Sequence, residues 1–394
     1  MPMDLFVHEP FGHVVGIRLP RCSSADDRRR PVVAGFAGAR QRLTSVHFCG
    51  WNLTMNDAQD KGTTSIGLVR EAILVATQGN LDVPAALQHA GIAAELLNAP
   101  RARVPALAFS RLWAALADLM DDEFFGLDSH PLRRGSYALM CHAVLHAENL
   151  EHALRRMLKF LRAVLDDIHG ELRCEGEHAL IILHDDGMTR RLFAYGTWFI
   201  LVHGLACWLA RRRIPLIEMR FRACAPIDDS DYRMRFCENV TFSADETLIR
   251  FDRSFLDLKL SGTETSLHAF LQNAPANILV KYRNESSTTA VVRRRLRNQV
   301  PDEWPDLDAL SQLLNLSSAT LQRRLLAEGT SYRQLKDELR RDIAIELFSS
   351  SSLTVAEVAA RTGFQETSAF HRAFRKWTGA SPGMYRHGRA VSPD

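Results

Sequence analysis

The sequence predicts an α+β N-terminal domain followed by an all-α C-terminal domain of two helix-turn-helix units joined by one long helix. Three observations point there. The chain has 394 residues, more than one ordinary hydrophobic core serves, so two domains are expected. Period-two alternation of apolar and polar residues is confined to roughly 179–256. From Val291 onward apolar residues recur at helical spacing with short polar breaks.

Composition bounds the partners. Hydrophobic residues make up 46% and charged ones 24%, ordinary values for a globular protein, and the formal net charge is only +3. The charge is uneven. Lys281–Asp394 carries 18 Lys and Arg against 13 Asp and Glu, while the rest carries 31 against 33. A basic C-terminal part on a slightly acidic body suggests an anionic partner for that part. Seven cysteines are scattered without a CxxC pair, which argues against a disulfide scaffold or structural zinc and fits a reducing cytoplasm.

Residues 1–62 read as a poorly ordered extension. The stretch "CSSADDRRRPVVAGFAGARQR" has no apolar period, and the start lacks the basic and apolar blocks of a secretory signal. Met55 precedes the first regular sequence, so a native start there is one reading.

Residues 63–262 form the mixed domain. In "IGLVREAILVATQG", Leu68, Ala72, Ile73 and Ala76 share a stripe, and Gly79 supplies a stop. "VPALAFSRLWAALADLM" and "NLEHALRRMLKFLRAVLDDIHG" repeat the helical pattern. Strands are expected at "ALIILH", "PLIEMRFRAC", "NVTFS" and "TLIRFDRSFL"; in the second, Ile217, Met219, Phe221 and Ala223 should face inward. Leu192–Ala210 has no formal charge and approaches the length of a membrane span. Gly196, Thr197, His203 and Gly204 dilute it, so a buried core helix is preferred, with a membrane-tethered protein as the other reading. Residues 263–290 read as a connecting helix and polar linker, 291–389 as the helical domain, and 390–394 as a tail.

In that last domain, Leu307, Leu310, Leu313 and Leu314 mark a short helix. Ser317 or Ser318 then caps a second, with Leu321 and Leu325 inward and Thr320, Gln322, Arg323 and Arg324 on other faces. Gln and Arg read adenine and guanine bidentately in the major groove. A second unit opens with a capping box, Thr354 and Glu357, and turns at Gly363. Phe370 and Phe374 share an inward face, while Thr367, His371 and Arg375, with Ser368 and Arg372 beside them, form a polar one. Between the units, "SYRQLKDELRRDIAIELFSS" is opened by a box at Ser331 and Gln334. It gives a helix of ~28 Å at ~1.5 Å per residue, close to one DNA turn of ~34 Å.

The stretches "LSSATLQRRLLAEGTSYRQLKDELRRDIAIELF" and "TVAEVAARTGFQETSAFHRAFRKWTGASPGMYR" resemble the AraC/XylS family of transcription regulators. The signature positions are Gly363, Phe364, Ser368, Phe370, Arg372, Phe374, Gly379, Pro382, Tyr385 and Arg386. The upstream domain is similar to the arabinose-binding-type domain of one branch of that family, a name that does not make arabinose the ligand. The resemblance implies a non-enzymatic, sequence-specific transcription regulator, an activator, working in the cytoplasm without a cofactor. Its partners would be promoter or operator DNA, RNA polymerase, a small organic effector and a second copy of the chain. By motif position, Ala319, Gln322 and Arg323, then Thr367, Ser368, His371 and Arg372, are the implied base-reading residues. Ala319 offers at most an apolar contact to a thymine methyl, and Arg372 has a second reading as a structural or phosphate residue. Arg324, Arg375 and Lys376 are the phosphate candidates.

Other chemistries find less support. No GxSxG, Walker A or GxGxxG motif occurs. "HAVLH" puts His142 and His146 at the spacing of a zinc pair, but Ala143 stands where a zinc protease needs its glutamate and no third ligand is apparent, so no metal is expected. An effector pocket is expected along the uncharged helix at Trp198, Phe199 and His203, with a pocketless bundle helix as the other reading. In a regulator without a small ligand, the N-terminal domain would serve dimerisation only.

Overall fold

The computed structural model describes residues 62–280 and 287–387. The readings made for residues 1–61, including Met55 as a start, and for the 390–394 tail lie outside the described residues.

A short strand, β1 (Thr63–Ser65), runs straight into α1 (Ile66–Gln78), because the Ser65 hydroxyl accepts the Leu68 N–H and caps the helix. Ile66, Val69, Ala72, Ile73 and Ala76 face inward, and Leu68 is half-buried at the edge of the stripe. Asp82 caps α2 (Val83–Ala90), which ends at Gly91 with φ +73°. β2 (Arg103–Pro105) pairs antiparallel with β1 and leads into α3 (Ala106–Met120). Next come α4 (Ser136–Leu145) and α5 (Leu150–Val164); Asn149 caps α5, which buries Leu150, Ala153, Leu154, Met157, Leu158 and Leu161 as one stripe.

The sheet begins with the hairpin of β3 (His169–Glu175) and β4 (His178–His184), in register from His169 opposite His184 to Glu175 opposite His178. The chain then enters α6 (Leu192–Leu209), returns as β5 (Leu216–Arg220), makes the short α7 (Ser230–Arg235) and closes with β6 (Val240–Thr241) and β7 (Thr247–Asp252). The sheet order is β3-β4-β7-β5-β6, with only β5 and β6 parallel. α6 is apolar all round and is buried all round, the state expected of a central helix. Its Trp198 crosses β3 so closely that a Cβ on Gly170 would lie 2.5 Å from the indole. The stretch long enough to cross a membrane is therefore 83% buried inside the protein. One strand residue departs from expectation. Ile217 is exposed, because the pairing of β5 with β7 slips between Leu216 and Glu218 and Ile217 is the extra residue of the bulge. Met219, Phe221 and Ala223 face inward as expected.

The connection forms α8 (Glu264–Gln272), whose Phe270 stacks on Trp208 at 4.6 Å, and α9 (Ala276–Val280). The helical domain follows as α10 (Thr288–Arg297), α11 (Leu307–Leu313), α12 (Ser318–Ala327), the 19-residue α13 (Tyr332–Ser350), α14 (Val355–Arg361), α15 (Thr367–Thr378) and α16 (Pro382–His387). Its two halves bury their apolar faces differently. The first unit has its own small core of Val292, Leu296, Trp304, Leu310, Leu321, Leu325, Leu335 and Leu339. The second does not: Ile345, Phe348, Phe370, Phe374 and Tyr385 belong to one continuous core with Ile66, Leu87, Leu112 and Trp113 of the N-terminal helices. The two domains read from the sequence are thus joined by shared hydrophobic burial, not only by the connection.

Candidate nucleic-acid interface

Local sequence sets each recognition helix. Asp306 caps α11 and Ser317 caps α12 by accepting the Thr320 N–H. Asp308 also accepts the Ser318 hydroxyl, tying the two helices of the first unit together. With Leu321 and Leu325 fully buried, helical geometry leaves Ala319, Gln322, Arg323 and Arg324 exposed. In the second unit both halves of the capping box form: Thr354 accepts the Glu357 N–H, and Glu357 accepts the Thr354 N–H. Gly363 takes φ +80° just past α14, where a Cβ would sit 2.9 Å from Asp302 Oδ1. Phe364 then meets Phe370 edge-on at 5.5 Å, and Phe370 and Phe374 are fully buried. Thr367, Ser368, His371, Arg372, Arg375 and Lys376 are all exposed. The first turn of α15 has no side-chain cap from Glu366.

α13 couples the units. Its Ser331 caps by accepting the Gln334 N–H, but the Gln334 side chain goes to Glu338 rather than back to the cap, so the expected reciprocal box is half formed. Arg340 lies over the Trp304 ring at 5.3 Å and donates to the Thr362 carbonyl at 3.2 Å, holding one unit against the other.

The positive charge of this region is partly spent inside the protein and partly exposed. Arg293 pairs with Glu338 and Arg341 with Asp342, so these cations serve the interior. Among the described residues, Arg323, Arg324, Arg372, Arg375 and Lys376 form no ion pair and stand on the exposed faces of α12 and α15. Arg295, Arg333 and Arg361 are likewise exposed with no ion pair among the described residues, so free cationic charge is spread over the domain; on α12 and α15 it stands beside Gln, Thr and His side chains, a composition suited to base edges and phosphates.

Two family models match the chain. The arabinose-binding domain of AraC transcription regulators, N-terminal, covers residues 81–260, and a helix-turn-helix domain covers 310–388. The chain belongs to the AraC family of transcription regulators. Its relatives include the ornithine utilization regulator of Pseudomonas aeruginosa, 27% identical over 303 residues, 74% of this chain and 87% of that protein. The HTH-type transcriptional regulator VqsM of the same organism is 38% identical over 90 residues, 23% of this chain and 28% of its own. Among solved structures, the transcriptional regulator CdpR of P. aeruginosa is 21% identical, spans 72% of this chain and 87% of its own, and has a TM-score of 0.25. The family models and these relatives are those of DNA-binding regulators rather than enzymes.

The other residues singled out in this AraC-type chain fall as follows. His142 and His146 both approach Glu264, at 3.3 and 3.5 Å, and all three are exposed. Among the described residues no group of three or more His, Cys, Asp and Glu is arranged for a metal ion. Trp198, Phe199 and His203 are buried in the core. His203 Nε2 lies 2.9 Å from the Ile214 carbonyl, and burial with nearby Arg213 lowers its pKa to about 3, so the ring is neutral. A cavity lined mainly by this domain opens beside the neighbouring face of the same helix, at Phe193, Gly196, Thr197 and Ile200.

Sequence reasoning missed a buried polar cluster between the domains. Arg103 is 3% exposed and meets Asp231 at 2.5 Å and Asp228 at 3.2 Å. Its Nε donates to the Thr63 hydroxyl at 2.8 Å, which donates to Asp342 Oδ1 on α13 at 2.8 Å. The Arg103 N–H also donates to the Tyr385 hydroxyl on α16 at 3.3 Å. Burial opposes both charges, but the carboxylates keep Arg103 ionised, and Arg341, Arg103, Arg293 and Arg297 hold the Asp342 carboxyl well below its usual range. One signal was available in the sequence: Asp342 stands on the same stripe as Leu335 and Leu339, where a carboxylate needs a buried partner.

Proposed function

We propose that this AraC-type protein is a cytoplasmic, sequence-specific activator that binds promoter or operator DNA through α12 and α15, engages RNA polymerase, works as a homodimer and answers to a small organic effector. The observation that carries the DNA-binding geometry is the placement of Gln322 and Arg323 on one exposed helix face and of Thr367, His371 and Arg372 on another, each opposite a buried apolar stripe. Those side chains, with Ala319 and Ser368, are the proposed base readers; Arg324, Arg375 and Lys376 are the proposed phosphate contacts. Effector control is supported by the arabinose-binding-type domain and by a cavity lined mainly by its residues.

The test is a binding titration of the full chain on its own upstream DNA, at fixed salt, beside a scrambled duplex of equal length. A preference of at least about a thousandfold is the expected result for a specific regulator. Equal affinity for the two duplexes would remove the sequence-specific reading. A reporter on the same promoter separates activation from repression.

A further inference from the structure

The cavity lies where five helices meet. Its walls are Leu68 of α1, Phe109 and Trp113 of α3, Phe193, Gly196, Thr197 and Ile200 of α6, the α7 segment, and Leu279 of α9. Counted together with the open solvent at its mouth, the space is ≈620 Å³. The walls are mostly aliphatic and aromatic, with few polar groups, among them the charged Asp231 and Arg235.

One of those groups has no partner of its own. Thr197 is fully buried, and its hydroxyl makes no hydrogen bond among the described residues. A helical threonine ordinarily turns its hydroxyl back to the carbonyl four residues earlier. Thr77, Thr362 and Thr378 all do so, to Ile73, Val358 and Phe374, at 2.8 to 2.9 Å. A buried hydroxyl left open costs stability unless something else meets it.

A second wall group leads away from the cavity. Asp231 lines it, accepts the Ser65 N–H at 2.9 Å and pairs with Arg103. Arg103 continues through Thr63 to Asp342 on the helix that joins the two DNA-binding units. Every step is a direct bond, and Thr63, Arg103 and Asp342 are each at most 3% exposed.

Resting on the effector reading above, we infer that this cavity binds an uncharged, largely apolar organic molecule carrying one hydroxyl or carbonyl. That polar group meets Thr197, and occupancy is transmitted through Asp231, Arg103 and Thr63 to Asp342. The charge of the ligand follows from the walls. Two charged residues line the cavity, Asp231 and Arg235. Asp231 is already neutralised by Arg103 and Arg235 is engaged within the protein, so an ionised ligand would lose its hydration without gaining a free counter-charge. The coupling follows from Asp231 belonging to both the cavity and the cluster. A ligand shifts the α13 arrangement only if it binds one position of Asp231 more tightly than another.

The experiment uses the full chain and three probes of one shape: 2-phenylethanol, ethylbenzene and phenylacetate, at low millimolar concentration. Thermal unfolding and the quenching of tryptophan emission report binding, since Trp113 lines the cavity. 2-Phenylethanol should raise the melting temperature by a few degrees, ethylbenzene by less, and phenylacetate not at all. Thr197→Val, which keeps the volume and removes the hydroxyl, should erase the difference between the first two. Operator affinity measured with and without 2-phenylethanol should change roughly fivefold or more in the wild-type chain. In Thr63→Val, and in Asp342→Asn as a second variant, the probe should still bind while that change disappears.

Failure of the probes to bind the wild-type chain, or equal binding by Thr197→Val, overturns the site. An unaltered DNA response in both Thr63→Val and Asp342→Asn overturns the route. If phenylacetate alone stabilises the protein and shifts its DNA affinity, effector control stands and the uncharged ligand class is overturned. If no compound changes the affinity of a chain that binds its operator specifically, effector control itself is what fails.

Discussion

The Thr63 hydroxyl donates to Asp342 at 2.8 Å across 279 residues of sequence, and both groups are buried. Arg103 stands behind this contact with Asp228 and Asp231. Removing the cation should strand carboxylates in the interior, a change that costs about 3–5 kcal/mol when a buried pair loses one partner. Arg103→Ala should therefore lower stability by that order in denaturant titration, far more than removal of an exposed cation such as Arg133. Because the folded pKa of Asp342 is depressed, its contribution is complete above about pH 4 and is lost as pH falls below that value. Thr63→Val removes a hydrogen bond to that carboxylate, so the acid limb should still begin near about pH 4 but should end at higher pH and lose less stability in all than in the wild-type chain.

His203 gives a second pH dependence, of the same sign and in a different window. Its folded pKa is lowered to about 3 by burial and by Arg213, whereas an unfolded histidine titrates near 6.5. The unfolded chain takes up the proton first as pH falls, so stability is full above about 6.5 and declines below it. This one group should contribute a slope of roughly 1.4 kcal/mol per pH unit between those two values. His203→Gln should flatten the curve between pH 6 and 4; an unchanged slope would show that the ring is protonated in the folded state.

Much of this architecture is legible because it is local. The leucine spacing of 307–325, the Thr354–Glu357 box and the Phe370–Phe374 pair define the helix-turn-helix units within a few turns of chain, and each forms as its sequence implies. Strands β1 and β2 escape notice because three residues carry no period. Ile217 faces outward because a bulge is decided by the neighbouring strand, not by alternation along its own. The cavity and the Arg103 cluster are hidden for a further reason. Their residues come from segments far apart in the chain, and Trp198, the most conspicuous aromatic of α6, is spent on packing against Gly170.

The shared core makes a prediction about the second unit. Phe370 packs among Phe348, Phe364 and Phe374, with ring centroids 5.5 to 6.2 Å apart. Phe370→Ala should cost about 3–5 kcal/mol, the range for emptying a buried phenylalanine site. Because that core continues into Leu112 and Trp113, the loss should appear in the unfolding of the whole chain as one transition. A separate early transition confined to the C-terminal helices would contradict the continuity.

The last prediction separates base reading from charge. Arg323 and Arg372 are exposed on α12 and α15, on faces turned away from buried leucines and phenylalanines. An arginine bidentate to guanine contributes about 1–3 kcal/mol of discrimination, whereas a phosphate contact is blind to sequence. Arg323→Ala and Arg372→Ala should each weaken binding to the native operator by that amount and leave scrambled DNA bound almost as before. Lys376→Ala, at the end of α15, should weaken both duplexes alike and lower the slope of affinity against salt by about one. Titrations of the three variants at several salt concentrations decide the matter. If Arg372→Ala behaves like Lys376→Ala, its side chain is a phosphate contact and the base-reading face of α15 reduces to Thr367, Ser368 and His371. If both arginine variants keep full discrimination, the reading faces lie elsewhere on these helices.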